Sequence, residues 1–169
     1  MALQIFNANF VKAHTIRVTL GLLGWAALAS AGLAQTPGST RPNRIELAPG
    51  FRPDPAIVDG ISGGRQSGAQ IVEERSTPTG PCVGYVDRQP NHTLVLRADF
   101  DYLSLTIDSQ EDTVLLLQGP GGVWCNDDSV GQNPRIAGEW LAGEYFVWVG
   151  SYQRGQYNPY TLSISREPE

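Results

Sequence analysis

An all-β fold, an antiparallel β-sandwich of the jelly-roll or Greek-key kind, follows from three observations in this 169-residue sequence. Beyond Pro81, short runs of residues alternate between apolar and polar. Clusters of Gly, Pro, Asn and Asp separate these runs, and no window after the leader has helical periodicity. The reading divides the chain into residues 1–34, a leader; 35–80, an irregular linker or strap; and 81–166, the sandwich.

The leader carries Lys12 and Arg17 with no acidic residue, then an apolar run from Val18 to Leu28, then small residues from Ala29 to Ala34. That order of basic, apolar and small segments is a secretory signal peptide, with cleavage expected after Ala34 or, second, Ala31. The apolar run is too short for a membrane span, so no membrane insertion is expected after cleavage. The mature protein is therefore expected to be secreted or periplasmic. About 135 residues remain, enough for one domain with one core.

From Gln35 to Gly80 the chain is dense in Pro, Gly, Ser, Thr and Arg. Its short apolar pieces are Ile45 to Leu47, Ala56 to Val58 and Ile71 to Val72. Alone, such a composition buries too little apolar surface to offset its ordering entropy.

The strands then follow in order. Val83 to Val86 is short and ends at the turn Asp87 to Asn91. Thr93 to Arg97 comes next, and then Tyr102 to Ile107, in which Leu103, Leu105 and Ile107 share a face. Thr113 to Gln118 is apolar on both faces and belongs at the centre. The glycine turn Gly119 to Gly122 leads into Val123 to Asn126. A loop from Asp127 to Pro134 leads to Arg135 and Ile136, then to Glu139 to Leu141. Glu144 to Val149 is the clearest strand, and a Gly/Tyr-rich turn from Gly150 to Pro159 delivers Tyr160 to Ile164. About seven or eight short strands spaced by turns make a sandwich.

Cys82 and Cys125 both follow the leader. In an oxidising compartment two thiols of one small domain pair, and closing a loop of this size stabilises by on the order of 4 kcal/mol. Lys12 is the sole lysine, so after the leader the basic residues are all arginine, fewer than the 17 Asp and Glu. An acidic surface without a basic stripe excludes nucleic acid as a partner class, and the missing lysine excludes Schiff-base chemistry.

Three groups are candidate sites. Asp112, Asn126, Asp127 and Asp128, with Glu111 and Asp108 near in sequence, supply the oxygen donors that Ca²⁺ takes in flexible geometry. The alternative role for the same residues is turn capping and solvated loop charge. Tyr152, Arg154 and Tyr157 lie in a long, polar, aromatic loop suited to ligand contact. Ser62, in Gly60-Ile61-Ser62-Gly63-Gly64, fits a Gly-x-Ser-x-Gly pattern with His92 as its one available imidazole. It lacks the strong preceding strand and following helix of a nucleophile elbow, and no catalytic residue is assigned. Trp124, Trp140, Trp148 and Tyr145 are assigned to core rather than to a binding platform.

The run from Asp112 to Leu117, its glycine turn, Trp124-Cys125-Asn126-Asp127-Asp128, Gly143-Glu144-Tyr145 and the closing Tyr160-Thr161-Leu162 together resemble the bacterial pre-peptidase C-terminal domain over residues 93–165. The resemblance implies a β-sandwich attached to exported enzymes, non-catalytic, with relatives that bind collagen or carbohydrate and some that hold calcium. The cysteine pair and residues 35–80 depart from that pattern, and no peptidase domain accompanies it in these residues. The function expected is a non-catalytic binding or accessory module for an extracellular polymer or a partner protein. The alternatives are a structural envelope component and a small serine hydrolase built on Ser62 and His92.

Overall fold

The computed structural model describes residues 43–129 and 131–168; the expected signal peptide lies outside them. In order, the elements are β1 (Asn43–Leu47), β2 (Ala56–Ile61), β3 (Gln66–Ser67), a one-turn helix α1 (Gly68–Ile71), β4 (Ser76–Thr77), β5 (Gly80–Pro81) and β6 (Tyr85–Val86). Then come β7 (His92–Leu96), β8 (Phe100–Asp108), β9 (Thr113–Gly119), β10 (Gly122–Asn126), β11 (Arg135–Trp140), β12 (Gly143–Ser151) and β13 (Pro159–Ser165). Every strand expected after Pro81 is present.

Two sheets face each other. In the larger, β10, β9, β12, β7 and β1 lie side by side, and the short β6 and β3 continue past the end of β7 along the same edge of β12. The smaller has the order β11-β8-β13-β2 and is antiparallel throughout. From β7 onward the chain changes sheet at each connection except the β9–β10 hairpin. That alternation suits strands with one apolar face, because each new strand adds to the opposite wall of the same core. Leu94, Leu96, Leu115, Leu117, Tyr145 and Val147 come from one wall, and Leu103, Leu105, Ile107, Leu162 and Ile164 from the other.

β9 is buried on both faces, as its sequence requires. Leu115 and Leu117 point into the main core, while Leu116 belongs to a second cluster with Val72, Cys82, Val86, Cys125 and Trp148. Residues 66–86 cover this outer face, and the Cys82–Cys125 disulfide ties them to β10 with Cα atoms 5.0 Å apart. The cover lies close: a Cβ at Gly68 would sit 2.6 Å from Leu116 Cδ1, and one at Gly84 would sit 2.8 Å from Val114. β12 is likewise two-faced, with Tyr145 and Val147 in the main core and Trp148 under the strap, so both aromatic residues are core as expected.

The boundary at residue 81 needs correction. Residues 66–86 do form a strap, yet β1 and β2 are edge strands of the sandwich itself. β1 runs parallel to β7 and buries Ile45 and Leu47, and β2 pairs with β13. An edge strand needs only one apolar face and one neighbour, so two or three apolar residues suffice where a central strand needs five. Among the described residues no helix is long and apolar enough to cross a membrane.

Replacing both cysteines by serine is expected to lower unfolding free energy by about 2 to 5 kcal/mol. Hydrogen exchange is expected to accelerate first in residues 66–86 while β8 and β13 stay protected; uniform acceleration would contradict the strap assignment.

Candidate functional site

Strand register decides which loops meet. Thr113 lies opposite Ser151 in the β9–β12 pair, so the residues before β9 and those after β12 emerge at one end of the sandwich. Tyr152 N–H donates to the Asp112 carbonyl at 3.2 Å, and Thr113 N–H to that of Gln132 at 3.2 Å. The acidic residues and the aromatic loop, which are far apart in sequence, thereby share one end.

There the carboxylates of Asp112, Asp127 and Asp128 bring oxygens within 4.8 Å of one another. That spacing fits oxygens on a common Ca²⁺, where each lies 2.3–2.6 Å from the ion. Asp112 Oδ1 and Asp127 Oδ1 are buried with no hydrogen-bond partner among the described residues. Burial, then the charges of Asp128 and Asp112, push the Asp127 carboxyl up to about 6, and burial with Asp128 raises Asp112. Asn126, expected as a fourth ligand, holds the loop. Its Nδ2 donates to the Thr79 carbonyl at 2.8 Å and its Oδ1 accepts from Arg135 N–H at 3.0 Å. Asp108 and Glu111 line a separate depression beside Asp59 and Tyr160.

The loop from Tyr152 to Asn158 is exposed, with Tyr152 at 51% and Tyr157 at 50%. The Arg154 guanidinium lies 6.0 Å from the Tyr85 ring centre, and the Tyr157 hydroxyl donates to Asp87 at 3.3 Å. The structure thus brings Tyr152 and Asp112 together through the backbone, while Tyr157 faces a different hollow beside Asn91 and Asp87.

The Gly-x-Ser-x-Gly segment supports this loop. Gly155 N–H donates to the Gly64 carbonyl at 2.9 Å, and a Cβ on Gly63 would lie 1.8 Å from the Gln156 carbonyl oxygen, an approach only glycine permits. Ser62 is fully buried and its Oγ lies 3.0 Å from Ser151 Oγ. His92 is also buried, with Nε2 2.6 Å from the Tyr160 hydroxyl, and burial lowers its pKa to about 4. The two groups of the serine-hydrolase reading therefore hold other partners.

Sequence reasoning missed a cleft at the opposite end, where Trp124, Trp140 and Tyr145 meet Asp99, Asp101 and Glu139. The signal available was an acidic residue beside the turn at each aromatic strand end, visible only once the strands are assembled.

No family model matches the sequence. The chain is 31% identical over 148 residues to an uncharacterized protein of Synechococcus elongatus, a match spanning 85% of this chain and 93% of that one. Among solved structures it is similar to the pre-peptidase C-terminal domain of a collagenase from Bacillus anthracis, with TM-score 0.41 and 10% identity over 76% of this chain and 100% of that one. It is also similar to Aeromonas hydrophila PliG, a periplasmic inhibitor of g-type lysozyme, with TM-score 0.38 and 14% identity over 73% of this chain and 96% of that one.

The Asp127 carboxyl, near 3.8 when unfolded and about 6 when folded, binds its proton more tightly in the native state. Its contribution to stability is present below pH 4 and lost as pH rises through 6. In EGTA, Asp127→Asn is therefore expected to gain on the order of 1 kcal/mol over wild type at pH 7.5, after screening of this partly exposed group, and nothing at pH 4. Denaturant unfolding at both pH values checks this, and a gain of equal size at each would contradict it.

Proposed function

The chain belongs to the same family as the uncharacterized Synechococcus elongatus protein, and we propose that it is an exported, non-catalytic binding module of the pre-peptidase C-terminal kind. In this reading it recognises an extracellular polymer or partner protein through one loop end. The observation that carries the reading is the hydrogen bond from Tyr152 N–H to the Asp112 carbonyl, which joins the acidic triad to an exposed loop of tyrosine and arginine. The leader and the disulfide support export. Buried partners for both Ser62 and His92 support the absence of catalysis.

A rigid sandwich with its recognition chemistry in loops at one end is a common way to build a binding module. Tyr152 and Tyr157 offer large, stiff, amphipathic contacts, and Arg154 offers a planar donor. Asp112, Asp127 and Asp128 would hold a calcium ion, which supplies the positive charge that three converging carboxylates lack among themselves. The protein's own part is to keep those oxygens on the ends of β9 and β10 and to tie Asp112 to Tyr152. An ion at the triad would then stiffen the loop that meets the partner.

Thermal unfolding of the exported, oxidised protein in millimolar Ca²⁺ and in EGTA tests the triad, because a ligand of the native state adds RT ln(1 + [L]/Kd), about 2.7 kcal/mol at 100 Kd. The expected result is a midpoint several degrees higher in calcium, lost in Asp112→Asn and Asp127→Asn. An unchanged midpoint removes calcium from the proposal. Tyr152→Ala with Tyr157→Ala is expected to leave the midpoint unchanged and to abolish retention of the partner captured from the envelope fraction. Undiminished retention would remove the loop.

A further inference from the structure

At the end of the sandwich away from the triad, the start of β8, the β9–β10 turn and the β11–β12 turn surround a cleft of about 550 Å³, within the usual size range of ligand sites. Its wall is aromatic, with Trp124 half-buried at the surface and Trp140 and Tyr145 buried behind it. Trp124 and Trp140 stack with ring centres 6.2 Å apart and planes 28° apart, and Tyr145 meets Trp140 edge-on at 5.1 Å. Trp140 Nε1 donates to the Leu103 carbonyl at 2.8 Å and the Tyr145 hydroxyl to that of Leu141 at 2.9 Å. Both polar tips are thus committed to backbone.

The mouth is anionic. Asp99, Asp101 and Glu139 are exposed at its rim, and no arginine is among the described residues that line it. Asp99 also accepts from Ala142 N–H at 2.6 Å, which fixes the 141–143 turn against the rim. Gly138 forms part of the lining, and a Cβ there would meet nothing within 4 Å, so the space belongs to the cleft rather than to packed protein.

Aromatic faces beneath a ring of acceptors suit one chemistry above others. A neutral sugar presents donors and acceptors together, and this cleft offers carboxylate acceptors with the Trp140 and Tyr145 donors turned inward. A cation on an apolar stem satisfies both features: the stem lies on the half-buried Trp124 indole, and the charge meets the carboxylates. The guanidinium is the better match, because it is planar, weakly hydrated and able to bind a carboxylate through two parallel bonds. The acidic balance of the chain, 17 Asp and Glu against 12 Lys and Arg, extends that complementarity to a basic surface around the anchoring residue.

We propose that the Trp124–Trp140–Tyr145 cleft, rimmed by Asp99, Asp101 and Glu139, is a docking site for an arginine side chain presented by a basic partner protein. This rests on the reading of the chain as a binding module, and it is independent of calcium and of the 152–158 loop at the other end.

The test titrates isotope-labelled protein with a short, otherwise neutral peptide carrying one central arginine, and with the same peptide carrying citrulline, which keeps shape and loses charge. The arginine peptide is expected to give saturable amide shifts at Trp124, Gly138 and Glu139, with affinity at least tenfold above citrulline. Asp101→Asn with Glu139→Gln, both exposed positions, is expected to weaken the arginine peptide tenfold or more without lowering the unfolding midpoint. Trp124→Leu is expected to weaken both peptides. Equal binding of the two peptides, shifts confined to residues 152–158, or no saturable shift would each overturn the proposal. Tyr152→Ala with Tyr157→Ala separates the two readings: it is expected to leave arginine-peptide binding unchanged, so failure of the loop proposal does not carry the cleft with it.

Discussion

A strand with leucine at three successive positions, Leu115, Leu116 and Leu117, places apolar groups on both sides of its sheet, and both sides must be kept from water. The second sheet covers one side. The other would be an exposed apolar patch in a simple sandwich, and here residues 66–86 close over it, bolted to β10 by Cys82–Cys125. The strap has little apolar surface of its own, so the disulfide and the glycines that let it lie flat carry much of the attachment. The doubly buried strand therefore explains the strap, the strap explains the cysteine pair, and the fixed strap sets where the sheet's end loops leave.

The proposed sites lie at those ends because β9 and β12 are neighbours at the centre of the larger sheet, and their termini carry the chemistry of both. One terminus of the pair joins Asp112 to Tyr152. The other packs Gly143 against Pro120 and opens the aromatic cleft. Two chemically distinct surfaces thus hang on one rigid ribbon, acidic and oxygen-rich at one end, aromatic with an acidic rim at the other. An inserted bulge in β11 between Gly138 and Trp140 turns the tryptophan inward and leaves Glu139 outward, which gives the cleft its two-layered character.

The strands from Tyr85 onward were legible in the sequence because they alternate with a period of two or, in β9, form a short apolar run, and end at turn residues. β1 and β2 were not, since Ile45 with Leu47 and Ala56 with Val58 are weak signals until a neighbour supplies the other half of the pairing. The acidic triad was legible because Asp127 and Asp128 are adjacent and Asp112 begins the next-door strand. Asn126 was read from the sequence as a ligand because it lies beside carboxylates; the assembled strands also make it a clamp between Thr79 and Arg135. The glycines around Ser62 signalled close approach correctly and chemistry misleadingly: what approaches is the backbone of Gly155 and Gln156. The cleft was invisible because its aromatic wall comes from three strands and each residue alone reads as core.

In the proposed function the acidic triad and the 152–158 loop act as one recognition unit. Amide chemical shifts of the labelled, oxidised protein, followed as calcium is added, measure this most directly. Asp112, Asp127 and Asp128 are expected to move together with Tyr152 and Arg154 along one binding curve, while Gly138 and Glu139 at the far end stay still. Shifts confined to residues 127 and 128, or none at all, would contradict it.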